Sequence, residues 1–235
     1  REHRRVEVAP LLGVLPGSNP VHWFEHFGAE NSRAWLVGDP ADGKIPPQTD
    51  EARQRTAARE AARKGRGAAD SYTDRSLYDR CITRGLLPSM LPTAYNMGNQ
   101  IMQVPGAVII RNEMIHETRV IPLDGRPALS SSIRHYMGEA RGRWDGDTLV
   151  VESTGFRDDG WIDEQGTPGS DALKMTERIR RINYGTLEIE IAVNDPKTFT
   201  KPWTVKLYQA LMADTELIEF ECAENNTSIK HYVGK

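Results

Sequence analysis

The side chains best suited to move protons lie in one short stretch, Asn112-Glu113-Met114-Ile115-His116. His116 has the chemistry for proton transfer near neutral pH, and Glu113 could be its acid partner. Residues three apart on a straight strand face opposite ways, but a turn at Asn112-Glu113 would bring them closer. We predict His116 and Glu113 as catalytic residues. The alternative is a buried core histidine that is satisfied by a backbone carbonyl.

Four further polar residues could orient or polarise a substrate, namely Tyr95, Asn96, Tyr136 and Arg141. The sequence has no G-x-S-x-G nucleophile motif, no phosphate-binding loop and no G-x-G-x-x-G dinucleotide fingerprint. Clustered ionisable groups without those motifs favour acid–base chemistry that needs no cofactor. Each of these residues could instead form a surface salt bridge or cap the core.

A metal site is not predicted. His22 and His26 are four apart, as two zinc ligands are in H-E-x-x-H, but Glu25 directly precedes the second histidine and no third ligand is evident. Aromatic packing is the favoured interpretation of this stretch. A C-x-x-C pair is also absent from the sequence, which argues against a zinc ribbon.

A β-hairpin over residues 134–156 would position Arg141. Asp145-Gly146 is a type I′ turn signal, and placing the turn there pairs Trp144 with Asp147 and Glu139 with Glu152. Alternation then puts Ala140, Gly142, Trp144, Leu149 and Val151 on one face and Glu139, Arg141, Arg143, Thr148, Val150 and Glu152 on the other. Two opposed carboxylates repel. The second face is therefore either a solvated surface where Arg141 neutralises both, or the polar lining of a barrel.

Further strands follow the same alternation. The predicted strands are Ala107 to Ile110, Met114 to Ile121, Leu173 to Ile182, Thr186 to Val193, Thr204 to Leu211 and Leu217 to Cys222. Strands of this length in sequence order predict a mainly β fold. We expect an antiparallel meander that closes into a lipocalin-like barrel, because closure removes exposed strand edges.

The first part of the chain has a different character. Residues 1–75 are predicted to be an extended arm with one short helix over residues 50–64, and residues 76–235 to be the β-barrel-like domain. Thr49 or Asp50 can cap the helix, Glu51 and Arg55 are i,i+4 partners, and Gly65 ends it.

The composition and net charge of the chain limit the kinds of partner that we expect it to bind. The 235 residues are 38% hydrophobic and 27% charged, with a formal net charge of −3, so there is no electrostatic argument for nucleic acid. No apolar run approaches the ~20 residues of a membrane span. The expected partner is a small molecule, with a homo-oligomer through the N-terminal arm as a further possibility.

Several motifs resemble those of an uncharacterised bacterial family from soil and environmental genomes. In order they are Arg80 to Gly85, Asn112 to His116, Ile121 to Pro127, Gly142 to Glu152 and Phe199 to Thr204. The family has no established activity to carry over. Its members often look exported, so the resemblance implies a periplasmic or secreted protein, with the cytoplasm as the alternative. The family's Cys-His-Glu-Gly-Asn run is here Cys222-Ala223-Glu224-Asn225-Asn226, which lacks the histidine.

The redox state expected for the two cysteines depends on the cellular compartment of the protein. Cys81 and Cys222 lie beside family-like motifs and are even in number, so one disulfide can join them. In the cytosol they would be reduced, buried small residues.

Three functions follow from these observations. The leading hypothesis is a cofactor-free lyase or isomerase that acts on a small lipophilic or aromatic molecule. The first alternative is a non-catalytic small-molecule-binding barrel, which predicts a pocket without a paired acid and base. The second is a structural or interaction module, which predicts a filled barrel and a partner surface on the arm. A cavity shared by His116 and Glu113 would separate the three.

Overall fold

The fold is mainly β and antiparallel, as predicted. The computed structural model describes residues 36–67, 70–92, 96–130, 132–163 and 166–222. Residues 1–35, with His22 and His26, lie outside the described residues, as do Tyr95 and residues 223–235. The elements are β1 Val37–Asp39, α1 Asp50–Arg63, α2 Leu86–Met90, β2 Asn99–Val104, β3 Ala107–Asn112, β4 Thr118–Pro122, β5 Glu139–Asp145, β6 Thr148–Thr154, β7 Lys174–Asn183, β8 Thr186–Asn194 and β9 Trp203–Ala210.

The described strands form two sheets. The larger has six strands in the order β1-β9-β8-β7-β6-β5, and the smaller has three in the order β2-β3-β4. From β5 to β9 each strand pairs with the next in sequence, which is the predicted meander. β1 is the exception, since Val37 pairs with Val205 of β9.

One hydrophobic core serves both sheets. Val108, Ile110 and Ile121 of the smaller sheet belong to the same buried cluster as Val151 and Ile191 of the larger one. Because residues two apart on a strand share a face, each sheet presents this apolar set to the other. The core therefore lies between the sheets and fixes how β4 sits relative to β5.

No ladder of hydrogen bonds joins the two sheets within the described ranges, so the barrel is not closed there. The neighbouring edges, β4 and β5, are in contact at Gly142. A Cβ added at Gly142 would lie 2.7 Å from both Ile121 Cγ2 and Leu123 Cδ2. A side chain at this position would therefore press on the side chains of Ile121 and Leu123.

The hairpin exists, but its predicted register is wrong by two residues. The central turn residues are Gly146 and Asp147, so Asp145 pairs with Thr148 and Trp144 with Leu149. Of these two turn residues only Gly146, at +61°, has a positive φ, whereas a type I′ turn needs both. A shift of two residues preserves the faces, so the predicted face assignment survives.

The corrected register removes the predicted repulsion between carboxylates. Arg141, rather than Glu139, lies opposite Glu152, and Glu139 lies opposite Thr154. Glu152 pairs with Arg143 at 3.0 Å, and Glu139 pairs with Arg141. Each carboxylate thus has its own arginine.

Helix α1 confirms the sequence prediction to within one residue. The Thr49 hydroxyl caps it by accepting from Ala52 N, and Glu51 pairs with Arg55 at 2.7 Å. Arg55 also donates to the Thr198 hydroxyl at 3.0 Å, which holds the helix against the turn before β9. No described helix has the length and apolar character needed to cross a membrane.

Other local predictions differ from the structure. Leu217–Cys222 is not a strand, and the predicted strand from Met114 begins only at Thr118, after a 3₁₀ turn over Met114–His116. Cys81 and Cys222 are joined by a disulfide that spans 141 residues of sequence. The segment that ends at Cys222 therefore lies beside residue 81 instead of extending the sheet.

Candidate functional site

A groove of about 730 Å³ opens between β4 and the stretch 135–141. Its size is in the range of small-molecule sites. The walls combine apolar and ionisable side chains, namely Ile82, Glu117, Thr118, Arg119, Val120, Pro122, Arg126, Pro127, Leu129, His135, Tyr136, Met137, Glu139, Ala140 and Arg141.

The turn Met114–His116 places Glu117 at the start of β4. Ile115 and His116 have φ values of 60° and 45°, which reverse the chain after β3. The turn is closed by Asn112 N, which donates to Glu117 O at 2.8 Å, and by His116 N, which donates to Glu113 O at 3.1 Å. β4 therefore begins with the Glu117 side chain at the groove.

The Glu117 carboxylate is half-buried and is held by the loop after Cys81. The Thr83 hydroxyl lies 2.9 Å from Oε1 and 2.8 Å from Oε2, and the Arg84 backbone N–H adds a further hydrogen bond. Burial raises the pKa of Glu117, while these hydrogen bonds and the charge of Arg119 oppose the rise without cancelling it. A carboxyl of this kind can carry a proton closer to neutral pH than an exposed one.

Arg119 lies on the same strand, and its guanidinium points into the protein. Its side chain is 5% exposed and donates two hydrogen bonds, of 2.7 and 2.9 Å, to the fully buried carboxylate of Glu177 on β7. Burial disfavours the charged guanidinium, but Glu177 more than offsets this and raises the pKa of Arg119. Arg119 therefore supplies a fixed positive charge behind Glu117.

The far wall is built by residues 135–141. The Tyr136 hydroxyl donates to Asp159 Oδ2 at 3.4 Å, and the Arg157 guanidinium lies 4.7 Å from the centre of the Tyr136 ring. Arg157 also lowers the pKa of Asp159 through hydrogen bonds and charge. His135 lines the same groove and is exposed. Tyr136 is thus oriented by neighbours behind it, as a residue that contacts a ligand should be.

Arg141 is fixed by backbone carbonyls. It donates to Arg126 O at 3.2 Å and to Pro127 O at 3.0 Å, and it forms an ion pair with Glu139. Glu139 in turn accepts from Leu129 N at 2.8 Å. These bonds attach the 126–129 segment to β5 and form one rim of the groove.

Glu113 and Asn96 also meet, but away from the groove. The buried Glu113 carboxylate accepts from Asn96 Nδ2 at 2.9 Å and from Gly98 N at 3.2 Å. His116 is exposed, and its ring centre lies 6.3 Å from that of Phe220. Neither His116, Glu113 nor Asn96 is among the residues that line the groove.

The structure therefore divides the predicted site residues into two groups. Tyr136 and Arg141 share the groove, while Glu113 and Asn96 share a buried hydrogen-bond cluster beneath the turn that carries His116. No hydrogen bond or ion pair joins the described side chains of His116 and Glu113. Glu117 and His135 also line the groove but are not predicted from the sequence, although Glu117 directly follows His116. No local sequence signal distinguishes the positions of His116 and Glu117, because the turn that ends at His116 is seen only in the folded chain.

No cluster of three or more histidine, cysteine, aspartate or glutamate side chains suited to a metal ion occurs in the part of the chain that the structure describes. What the groove can offer a ligand is a proton-exchanging carboxyl at Glu117, the polar side chains of Tyr136 and Arg141, and apolar walls. No family model, curated protein or solved structure matches this chain.

Proposed function

We propose that this protein is a lyase or isomerase that uses acid–base chemistry on a small lipophilic or aromatic molecule held in the groove, with Glu117 as the proton-transferring group. The reaction would need no cofactor. The observation that carries the proposal is the half-buried Glu117 carboxyl, whose pKa burial raises, on the wall of a groove of about 730 Å³. Perturbed carboxyls in concave sites are frequent proton donors and acceptors.

The groove residues suit such chemistry. Glu117 would take a proton from a carbon next to a carbonyl and return it to a neighbouring atom, or to a leaving group as that group departs. Ile82, Val120 and Met137 would contact the apolar part of the substrate, and Tyr136 and Arg141 would orient its polar part. His116 and Glu113, predicted as catalytic from the sequence, would act only if the substrate also reached the Asn96 cluster, the hydrogen-bonded group of Asn96, Gly98 and Glu113.

A binding protein without catalysis is the second candidate. It is favoured by one observation: Glu117 is hydrogen-bonded to Thr83 and the Arg84 backbone, and no described histidine is hydrogen-bonded to it. The groove would then recognise a ligand through the same residues. The interaction-module alternative depends on a surface of the N-terminal arm, of which residues 1–35 lie outside the described residues.

Solvent deuterium uptake tests the proposal. We would incubate enones, β-hydroxy ketones and aromatic hydroxy acids with the protein in D₂O and follow isomerisation, elimination and label by NMR. Glu117→Gln should lower the rate by ~10²–10⁴-fold. Glu152→Gln is the matched control, because Glu152 is an exposed carboxylate that pairs with Arg143 outside the groove.

The outcomes separate the candidates. Binding of a probe at the groove without turnover or label would support the binding protein. Turnover that survives Glu117→Gln but is lost in His116→Ala or Glu113→Gln would return the chemistry to the Asn96 cluster. Loss in the Glu152→Gln control would contradict an assignment to the groove.

We also propose a barrel architecture and an exported location for the protein. The groove would be the mouth of a lipocalin-like barrel whose seam lies between β4 and β5. Export to an oxidising compartment is supported by the Cys81–Cys222 disulfide and by the resemblance to often-exported bacterial proteins.

A further inference from the structure

Left-handed backbone conformations are concentrated in one region. In the part of the chain that the structure describes, the non-glycine residues with positive φ are Cys81, Asn96, Ile115 and His116, at 55°, 51°, 60° and 45°. Positive φ is especially unfavourable for a β-branched residue such as Ile115. Strained residues of this kind persist only where the surrounding structure holds them.

The segment 217–222, which we call the C-terminal cover, contacts this region at three points. A Cβ added at Gly98 would lie 2.5 Å from Leu217 Cδ2, so Leu217 packs directly on Gly98. The Phe220 ring packs edge-on against His116, with the ring centres 6.3 Å apart. Cys222 is bonded to Cys81. The cover is therefore fixed by a covalent bond two residues after Phe220, the ring that contacts the turn.

The residues that follow Cys81 connect the disulfide to the groove. Ile82, next to Cys81, lines the groove, and Thr83 donates to both oxygens of Glu117. Two series of contacts thus connect the disulfide to Glu117. One runs through the Cys81–Thr83 loop to its side chain, and the other through Phe220 and the Met114–His116 turn to its backbone.

We propose that the Cys81–Cys222 disulfide is a redox-sensitive clamp that holds the Met114–His116 turn in its strained conformation and so positions Glu117 in the groove. The control of Glu117 rests on the proposed function, whereas the clamping of the turn does not. A dithiol reductant would open the clamp. Its two electrons and two protons convert the S–S bond to two thiols, and the dithiol becomes a disulfide.

Release of the cover has a defined local consequence. Without the covalent bond, Phe220 is no longer held against His116, and Ile115 and His116 can return to negative φ. That change breaks the hydrogen bonds from Asn112 N to Glu117 O and from His116 N to Glu113 O, which close the turn. Strands β7 and β8 take part neither in the Phe220–His116 contact nor in the hydrogen bonds of the turn, so we expect them to keep their pairing.

Hydrogen–deuterium exchange measured by mass spectrometry tests the clamp without a ligand or an activity. Oxidised and reduced protein would be labelled for minutes, with alkylation and intact mass confirming the state of both cysteines. We expect the amides of residues 112–117 to exchange roughly ten-fold faster after reduction, and those of β7 and β8 to stay protected. The double variant Cys81→Ser, Cys222→Ser should show the exchange of the reduced protein at residues 112–117. Adding the reductant should not change its exchange.

A second variant addresses the strain itself. Glycine tolerates positive φ, so Ile115→Gly should reduce the difference in exchange between the oxidised and reduced proteins to less than half. Ile115 is buried, and the matched control is therefore Ile115→Ala, which loses the side chain beyond Cβ but keeps the unfavourable φ and should keep the difference. Equal exchange at residues 112–117 in the two redox states would overturn the proposal, as would equal acceleration in β7 and β8, which marks a bond that acts on the whole fold. An undiminished difference in Ile115→Gly would overturn the role of strain.

Discussion

Arg119 of β4 and Glu177 of β7 form a buried ion pair that connects the two sheets through hydrogen bonds of 2.7 and 2.9 Å. Glu177 lies between Val151 and Ile191 on neighbouring strands, so its carboxylate faces the shared apolar core. A lone charge in that position would be costly, because the core offers little solvation.

Removing one member of this pair should be far more damaging than removing both. Arg119→Met leaves the Glu177 carboxylate buried and unpaired, and we expect a loss of about 3–5 kcal/mol in the free energy of unfolding. The double variant Arg119→Met, Glu177→Leu should recover most of it, since apolar side chains suit the core. Urea denaturation measures both. A single variant that costs less than the double one would contradict the pairing.

The hairpin turn gives a second prediction. Gly146 has φ of +61°, and an added Cβ would meet nothing within 4 Å, so only backbone conformation opposes a side chain there. Gly146→Val should therefore cost more than ~1 kcal/mol. Gly185→Val is the control, because Gly185 lies in the β7–β8 turn without a positive φ. Equal melting temperatures for the two variants would contradict the turn geometry.

The pKa of Glu117 predicts how stability changes with pH. Burial raises that pKa in the folded state. The contribution of Glu117 to stability is therefore fully present below the unfolded pKa, near 4.5, and is lost as the pH rises through the folded pKa. Glu117→Gln should raise the melting temperature relative to wild type at pH 7 more than at pH 4.

Glu188 is the matched control for Glu117, because its pKa is shifted in the opposite direction. Lys206, through a hydrogen bond and its charge, lowers the pKa of Glu188 in the folded protein. Its contribution is present above the unfolded pKa and is lost as the pH falls through the folded pKa. Glu188→Gln should thus lower the melting temperature at pH 7 and have less effect in acid. Parallel pH profiles for the two variants would refute the assignment of either shift.

The contact at Gly142 predicts the effect of a larger side chain between β4 and β5. Gly142→Ala places a methyl group against Ile121 and Leu123, and overpacking of this kind typically costs about 1–3 kcal/mol. Leu123→Ala in the same chain should recover part of that loss, since it removes one of the two clashing groups. Denaturant midpoints of the single and double variants measure the recovery, and strictly additive losses would be inconsistent with direct contact.

The sequence predicted what local patterns determine. Thr49, Glu51 and Arg55 specified α1, and the alternation of Leu187, Ile189, Ile191 and Val193 specified β8. α2 was not predicted, because Pro88 lies in its middle and Gly85 offers no side-chain cap. In the hairpin, Gly146 was placed in the turn correctly but at the wrong turn position, which moved the register by two residues.

The lining of the candidate site could be predicted only in part, because it depends on tertiary contacts. Tyr136 and Arg141 were identified from polar character in a hairpin. Glu117 was not, since nothing local indicates that Ile115 and His116 adopt positive φ and turn the next side chain toward the groove. Arg119 and Glu177 are 58 residues apart, and no local pattern relates them.

The pairing of β1 with β9 also bears on the order of folding. It joins Val37 to Val205, whereas the other described strand pairs link neighbours in sequence. Short loops close at little entropic cost, so we expect the hairpins β5–β6, β7–β8 and β2–β3 to form early and β1 to dock late. Substitutions in β1 should then speed unfolding and leave the refolding rate unchanged, whereas substitutions in β7 should slow refolding.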